Sequence, residues 1–203
     1  MDEENKKVTI AATGDILLHE RLYKKAAKSG GGYDFSDMLS EAAPLFKEGD
    51  LRIVNQESII AGEEIGLSDF PKFNSPMEIG YTLKELGVDI VNLANNHVLD
   101  KGEKGILKSI ENWNKIGIPY VGAYRSPEDQ ETVRIFHKNG LRICFLCYTK
   151  RMEGVTIPKG KKYLVDSFED AKVGKIRKRI NQIKAARLAD VFVVSVHYGK
   201  EYQ

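Results

Sequence analysis

The order of apolar and amphipathic segments is the feature that most constrains how this chain can fold. Short apolar runs alternate with longer segments whose apolar residues recur at helical spacing, a pattern typical of β-α units around a largely parallel sheet. The predicted strands are residues 8–13, 51–56, 89–94, 118–123 and 191–196, with a hairpin over 132–149 that turns at Asn139-Gly140. We therefore predict an α/β fold of mixed, largely parallel sheets flanked by helices.

Helices are predicted in the segments between these strands. Periodic apolar residues favour helices over residues 36–48, 104–117 and about 167–188. Another helix is predicted to end at Gly87 and to begin at a capping box, in which Ser75 is the N-cap and Glu78 the partner residue. With no internal repeat or linker, residues 8–203 are expected to form one domain, and residues 1–7 a disordered N-terminus or one added for expression.

Composition limits the partners that this chain can be expected to have. The 31 basic and 29 acidic side chains give a net charge of +2, too small by itself to indicate a nucleic-acid or membrane surface, and no nucleic-acid partner is expected. No run approaches the roughly 18 apolar residues of a membrane span, and no apolar segment follows the first residues as in a signal peptide. The chain as given is therefore expected to be soluble.

Cys144 and Cys147 have the C-x-x-C spacing of a zinc knuckle or a redox pair. Their surroundings are continuously apolar and aromatic, which indicates a buried strand, and residues three apart on a strand point to opposite faces. No second cysteine pair is present to complete four zinc ligands. We interpret both cysteines as small core residues.

Polar side chains of the kinds that bind metals follow four of the predicted strands. They are Asp15, Asn55, Glu57, Asn95, Asn96, His97 and His197. Because the carboxyl ends of parallel strands share one sheet edge, where α/β proteins bind ligands, we expect a single site there. Carboxylate, amide and imidazole groups suit divalent cations such as Mn²⁺, Zn²⁺ or Fe, and two such ions can polarise a phosphoryl oxygen while activating water. Each residue alone also fits an ordinary turn, cap or surface position, so the prediction depends on the joint pattern.

Four segments together resemble a known family: TGDILLHERL, VNQES, LANNHVLDKG and SVHYGKEY. They are similar to the motifs of the capsule-biosynthesis CapA family, also called poly-gamma-glutamate capsule proteins, whose domain resembles the calcineurin-like metallophosphoesterases. The likeness extends from about Val8 to the last residue. It implies a metallophosphatase-like sandwich, a bacterial cell-envelope location and one or two divalent metal ions.

The resemblance also implies roles for individual residues. His97 would act on the leaving group as a general acid or transition-state stabiliser, and Asp100 would orient His97 or close its loop. The implied metal ligands are Asp15, Glu57, Asn96 and His197. Two further candidates are His19 and Asn55.

The chain departs from the family pattern in two places. Metallophosphoesterases usually begin with Asp-x-His, but Leu17 stands where the histidine is expected, and His19 is two residues further on. The family also continues to a later motif with more metal ligands, whereas this sequence ends six residues after His197. We therefore expect a domain that is incomplete at its C-terminus, with exposed apolar surface that favours self-association or pairing with another chain.

Two functions from different classes remain open. One is an enzyme that carries out metal-assisted hydrolysis or transfer at a phosphate or related ester, or at an amide-type bond of a capsule polymer, alongside other capsule-synthesis proteins at the membrane. The other is a non-catalytic envelope component that binds or exports an anionic polymer such as polyglutamate. A nucleotide-binding Rossmann module is disfavoured because the first strand is not followed by G-x-G-x-x-G.

The polymer-binding alternative depends on the last predicted helix. Its predicted apolar stripe is Val173, Ile176, Ile180 and Ile183. The basic residues outside this stripe include Lys172, Lys175, Lys178 and Arg179. A basic face of this kind is also typical of an ordinary solvated surface, so both interpretations of the helix remain open.

Overall fold

Two β-sheets form the centre of the molecule in a computed structural model that describes residues 6–150, 152, 154–168 and 173–199. The strands are β1 (Ile10–Ile16), β2 (Leu51–Gln56), β3 (Ile90–Asn92), β4 (Tyr120–Val121), β5 (Ile135–Lys138), β6 (Leu141–Thr149) and β7 (Val191–His197). The helices are α1 (Glu20–Ala26), α2 (Ser36–Leu39), α3 (Ala43–Lys47), α4 (Glu78–Glu85), α5 (Gly102–Ile116), α6 (Pro127–Glu131) and α7 (Val173–Ala185). The first sheet is parallel throughout in the order β1-β2-β3-β4, and the second has the order β5-β6-β7.

The two sheets pack face to face with helices on the outside. Ile53 and Val121 of the first sheet meet Phe145 of the second in an apolar cluster between the sheets. The other face of the first sheet packs against α4 and α5, where Trp113 is fully buried. On the outer face of the second sheet, Ile183 of α7 belongs to a third cluster. This arrangement confirms the predicted α/β sandwich of largely parallel sheets flanked by helices.

The strands occur in the predicted order, with corrections at their ends. β1 runs as far as Ile16, so Asp15 lies within the strand, and a bulge after Ala12 sets Asp15 opposite Asn55 of β2. β3 ends at Asn92 rather than at residue 94 because the Asn92 side chain accepts a hydrogen bond from the backbone N–H two residues on (2.8 Å). This local turn ends the ladder earlier than the apolar run predicts.

Two of the predicted helices are shorter than expected. Residues 36–48 form α2, a 3₁₀ turn and α3, because Pro44 cannot continue the helix that precedes it. The helix predicted over residues 167–188 is shortened to α7. Residue 167 cannot belong to it, because this residue forms an extended bridge with the end of β6. Val173 is 47% exposed and does not join the apolar stripe, and Lys172 lies outside the described residues. No helix in the described part of the chain combines the length and apolar character needed to cross a membrane.

The predicted capping box at Ser75 is wrong. The Ser75 hydroxyl donates to the Ser58 hydroxyl (2.8 Å), which lies far away in the sequence, so it is not available to the helix. The helix α4 begins at Glu78, with Met77 as an N-cap that makes no side-chain hydrogen bond. A tertiary contact has replaced the local one.

The predicted hairpin and the interpretation of the two cysteines are confirmed. Asn139 and Gly140 adopt positive φ angles of 48° and 72° between β5 and β6. Cys144 packs on the α7 side of β6 and Cys147 packs between the two sheets, both fully buried. Burial raises the pKa of both thiols, that of Cys144 to about 11, so both residues act as core side chains.

An ion pair joins the start of β6 to the start of β7. Arg142 donates from Nη2 to Asp190 Oδ1 (2.6 Å) and from its backbone N–H to Oδ2 (2.8 Å). These two bonds lower the pKa of Asp190 from 3.8 to about 2. Because the folded pKa lies below the unfolded one, the pair stabilises the fold above about pH 4, and this contribution is lost as the pH falls towards about 2.

Asp190→Asn is therefore expected to unfold at a lower urea concentration than the unmodified protein at pH 6, with the difference closing by about pH 2. Urea titrations followed by circular dichroism at both pH values measure this. Asp37→Asn, which changes an exposed carboxylate on α2, serves as the control and should show no such pH-dependent difference. A difference for Asp190→Asn that stays constant down to pH 2 would contradict the assignment.

Candidate functional site

Strand ends from both sheets meet at one place. Asp15 lies near the end of β1, Glu57 directly follows β2, His97 lies in the loop after β3, and His197 is the last residue of β7. Glu57 Oε1 is 3.9 Å from His97 Nε2 and 3.8 Å from His197 Nε2, and His197 Nδ1 is 3.8 Å from Asp15 Oδ1. The buried Glu57 carboxylate therefore lies close to two imidazole rings.

The predicted single sheet edge needs one correction. His197 belongs to the second sheet, because β7 pairs in parallel with β6 and not with a strand of the first sheet. Asp15, Glu57 and His97 come from the first sheet and the loops that follow its strands. The cluster thus forms where corresponding ends of two packed sheets approach each other.

Asn55 connects the strand ends through its side-chain amide. Its Nδ2 donates to Asp15 Oδ1 (2.6 Å), and its Oδ1 accepts from the Nδ2 groups of Asn92 (3.0 Å) and Asn95 (3.3 Å). His197 Nδ1 lies 3.3 Å from the same Asn55 Nδ2. Because Asn55 is buried and both of its polar atoms are engaged, it fixes β1, β2, the loop after β3 and β7 relative to one another.

His97 is held in one orientation by a carboxylate and an aromatic ring. Its Nδ1–H donates to Asp100 Oδ2 (2.8 Å), and the same oxygen accepts the backbone N–H of Phe73 (2.6 Å). The Phe73 ring packs edge to face against the imidazole, with centroids 4.8 Å apart. A carboxylate partner at Nδ1 fixes the tautomer, so Nε2 is the nitrogen that faces Glu57.

His19 occupies a neighbouring position outside this cluster. Its Nδ1 lies 2.7 Å from Asp69 Oδ1, and its ring packs edge to face on Phe73 with centroids 5.0 Å apart. His19 is therefore connected to His97 through the Phe73 ring. The sequence left open whether His19 reaches the site, and the structure gives it contacts with the Phe73 ring and the Asp69 carboxylate.

The donors near this cluster meet some of the requirements of a divalent cation. Asn96 Oδ1 is buried and hydrogen-bonds to no described residue, which is unusual for an amide oxygen and is consistent with a cation as its partner. Within the described ranges, no three His, Cys, Asp or Glu side chains are grouped closely enough to hold a metal by themselves. Two atoms bound at about 2.1 Å to a tetrahedral metal lie roughly 3.4 Å apart. The 3.8 Å between Glu57 Oε1 and His197 Nε2, two atoms of candidate ligands, is longer than this, so the residue types fit a cation while the described side chains are spaced more widely than bound ligands.

Two contributors to this arrangement were not predicted from the sequence. Asn92 lies inside the third predicted strand, and the only local sign of its role is an amide side chain within an apolar run. Phe73 lies in the loop between β2 and α4, and no local pattern marks it, because its partners His97 and Asp100 are distant in the sequence.

The fold of this chain resembles the folds of two solved nucleotidases. NAD nucleotidase (NadN) of Haemophilus influenzae superposes with a TM-score of 0.56 at 14% identity, over 96% of this chain and 34% of that protein. A provisionally assigned 5'-nucleotidase of Staphylococcus aureus, solved with alpha-ketoglutarate, gives a TM-score of 0.51 at 14% identity, over 96% and 38%. At this level of identity the likeness shows the fold, which is the sandwich of the nucleotidase-type metallophosphatases.

The sequence then identifies the family. Residues 9–203 match the profile of the bacterial capsule synthesis protein PGA_cap, and the chain belongs to this family. The capsule biosynthesis protein CapA of Bacillus anthracis is 27% identical over 206 residues, covering 98% of this chain and 48% of that protein. The PGA biosynthesis protein CapA of Bacillus subtilis (strain 168) is 24% identical over 208 residues, covering 93% and 48%. The expected family is confirmed, and the chain spans about half the length of these curated relatives.

Proposed function

We propose that this chain carries a metal-dependent hydrolytic site of a capsule biosynthesis protein at the cell envelope. The proposed reaction is hydrolysis or transfer at an ester or amide-type bond, either in a phosphorylated substrate or in the capsule polymer. The observation that carries the proposal is the buried Glu57 carboxylate between His97 and His197, where the ends of the two sheets meet. The name of the Bacillus subtilis relative, a PGA biosynthesis protein, supports poly-gamma-glutamate as the polymer.

The proposed cofactor is one or two divalent ions such as Mn²⁺, Zn²⁺ or Fe. The proposed ligands are Asp15, Glu57, Asn96 and His197. When bound, such an ion polarises a phosphoryl or carbonyl oxygen and supplies an activated water. The unpartnered buried Asn96 Oδ1 and the mixed carboxylate and imidazole donors support this assignment.

His97 is the proposed proton donor to the leaving group. Asp100 accepts the Nδ1–H of His97 and stabilises the doubly protonated ring, which can then release a proton from Nε2. The Phe73 ring restricts rotation of the imidazole, and its backbone N–H keeps Asp100 in place. Both His97 and Asp100 are only 4% exposed, so the pair is shielded from bulk water.

Metal retention tests the proposed ligand set. The protein is incubated with Mn²⁺ or Zn²⁺, desalted and measured by plasma mass spectrometry. We expect about one retained ion or more per chain, and less than about a tenth of that in Asn96→Ala and His197→Ala, because each change removes a ligand. The matched controls are Asn114→Ala and His137→Ala, which remove an exposed amide and an exposed imidazole elsewhere on the surface. No retention by the unmodified protein, or an equal loss in the controls, would overturn the proposed site.

The second candidate function, non-catalytic binding of an anionic polymer, is supported by a different observation. Lys175 and Lys178 of α7 are exposed. Leu17 also stands where metallophosphoesterases usually have a histidine. Removal of metal with EDTA separates the two functions, because hydrolysis should stop while polymer binding persists.

A further inference from the structure

A cavity of about 910 Å³ lies beside the second sheet and extends to the end of β4 in the first sheet. It is enclosed by β6, α7, the segment that precedes β5, and the loop over residues 154–168. Leu146, Tyr148 and Ile176 contribute buried and half-buried apolar surface to its lining. Binding cavities for small molecules usually measure roughly 300–1,000 Å³, so this one has room for several units of a linear chain. None of the side chains of the strand-end cluster described above lines it.

Basic side chains outnumber acidic ones in the described lining of this cavity. Among the described residues the basic ones are Arg134, Lys159, Lys162, Lys175, Lys178 and Arg179. The acidic residues among the described part of the lining are Glu131 and Asp166, and both accept hydrogen bonds from other residues. Arg179 Nη1 donates to Glu131 Oε2 (2.6 Å), while Tyr124 and Gln130 donate to the two oxygens of Asp166 (2.7 Å each). The six basic residues outnumber these two acidic ones, so the described lining carries an excess of positive charge.

The basic residues of the lining differ in how far they are engaged by the protein. Arg134 donates to Asp129 Oδ1 (2.5 Å) and lies over the rings of Tyr120 and Tyr124, and Arg179 is held by Glu131. Four lysines make no hydrogen bond or ion pair with any described residue: Lys159, Lys162, Lys175 and Lys178. Within the described part of the chain, their ammonium groups therefore have no protein partner that would compete with an external ligand.

The chemistry of these groups indicates the kind of ligand. A lysine ammonium is a compact charge on a flexible stem, whereas the planar guanidinium is the group that binds one phosphate or carboxylate through paired bonds. Both guanidinium groups are occupied within the protein, and the available charges come from two separate elements, α7 and the loop. Such a lining suits a flexible chain with single anionic groups spaced along it better than one compact dianion.

We propose that this cavity binds a segment of a linear polycarboxylate through Lys159, Lys162, Lys175 and Lys178. The inference rests on the second candidate function and deepens it, because it assigns metal-independent polymer binding to a defined cavity away from the strand-end cluster. Its test is carried out on metal-free protein in EDTA. Failure of this site and failure of the hydrolytic site can therefore be distinguished.

Fluorescence anisotropy with a labelled glutamate oligomer of defined length tests the proposal at low salt. Lys175→Gln/Lys178→Gln is expected to raise the dissociation constant about tenfold, because each lost charge removes a contact with the ligand. Arg177→Gln/Lys184→Gln is the matched control, since it removes two charges from the same helix at positions that do not line the cavity. It is expected to change the dissociation constant less than about twofold, and binding should weaken as salt is added.

A second variant addresses the loop side of the cavity. Lys159→Gln/Lys162→Gln is expected to weaken binding to a similar extent as the α7 pair, because both elements contribute to one lining. All of these side chains are exposed, so thermal unfolding should remain unchanged and confirm that the variants fold. Equal losses in the control and the α7 pair, or equal binding of an uncharged glutamine oligomer, would overturn the proposal. Binding of polyphosphate without binding of the glutamate oligomer would overturn the assignment to carboxylates.

Discussion

Replacing His97 with alanine is expected to lower hydrolytic turnover about 10³-fold while the protein retains its metal. The expectation follows from the position of the imidazole, whose Nε2 faces Glu57 while Nδ1 is bound by Asp100. Without this ring the leaving group would depart without a positioned proton donor. His97 is not among the proposed metal ligands, so the metal content separates a lost proton donor from a lost cofactor.

The measurement is steady-state turnover in Mn²⁺ with a chromogenic phosphate monoester, a phosphodiester and a γ-glutamyl amide, which cover the proposed bond types. His137→Ala removes an exposed imidazole on β5 and should leave turnover unchanged. Full turnover by His97→Ala would exclude the proposed role of the residue. Absence of hydrolysis of all three substrates by the metal-loaded, unmodified protein would instead argue for the polymer-binding function.

The variant Asp100→Asn tests the same proton transfer by removing the carboxylate that binds Nδ1 of His97. The asparagine amide has similar size but no negative charge, so it cannot stabilise the doubly protonated imidazole. Turnover is expected to fall about 10²-fold, with a shift in the basic limb of the pH-rate profile that a purely structural change would not produce. A fall in turnover with an unchanged pH profile would show that Asp100 only positions the loop.

The fold was largely predictable because its signals are local. The apolar runs of β2 and β7, the Asn139-Gly140 turn and the glycine that ends α5 act within a few residues, and the structure contains each of them. The helices that were not predicted, α1 and α6, have seven and five residues, too few to repeat an apolar pattern. In α6 a start signal was nevertheless present, since the Ser126 hydroxyl accepts a hydrogen bond from Asp129 N–H (3.2 Å).

The candidate site was predictable in its residues but not in its geometry. Asp15, Glu57 and His197 could be selected because ligand-type residues follow apolar runs, and the structure brings them together. Their convergence depends on pairing between β6 and β7 and on packing of one sheet against the other, which no local pattern encodes. The capping box predicted at Ser75 was also wrong because of a long-range contact. The Ser75 hydroxyl donates a hydrogen bond to Ser58, which is distant in the sequence.

Removal of the Asn55 side-chain amide is expected to lower both the stability of the fold and the retention of metal, because this amide connects several strand ends. In Asn55→Ala, the Asp15 carboxylate loses its described hydrogen-bond donor, Asn92 Nδ2 loses its acceptor, and Asn95 Nδ2 loses one of its two acceptors. Each buried polar group left unpaired costs about 1–3 kcal/mol, and Asp15 is half exposed, so we expect a loss of roughly 3 kcal/mol in the free energy of unfolding. Retained metal should also fall below about a tenth, because Asp15 and His197 lose the group that holds them together.

Urea unfolding and metal content measured on the same samples test both parts of this expectation, with Asn112→Ala as the matched control. Asn112 is a buried asparagine of α5 whose Nδ2 donates to a backbone carbonyl (2.7 Å), so its loss should cost about 1–2 kcal/mol and leave the metal in place. Since both variants remove a buried amide, a general loosening of the fold would lower metal retention in both. Loss of metal from Asn55→Ala alone would show that this amide organises the site, whereas equal retention in the two variants would show that the strand ends are held by packing of the sheets.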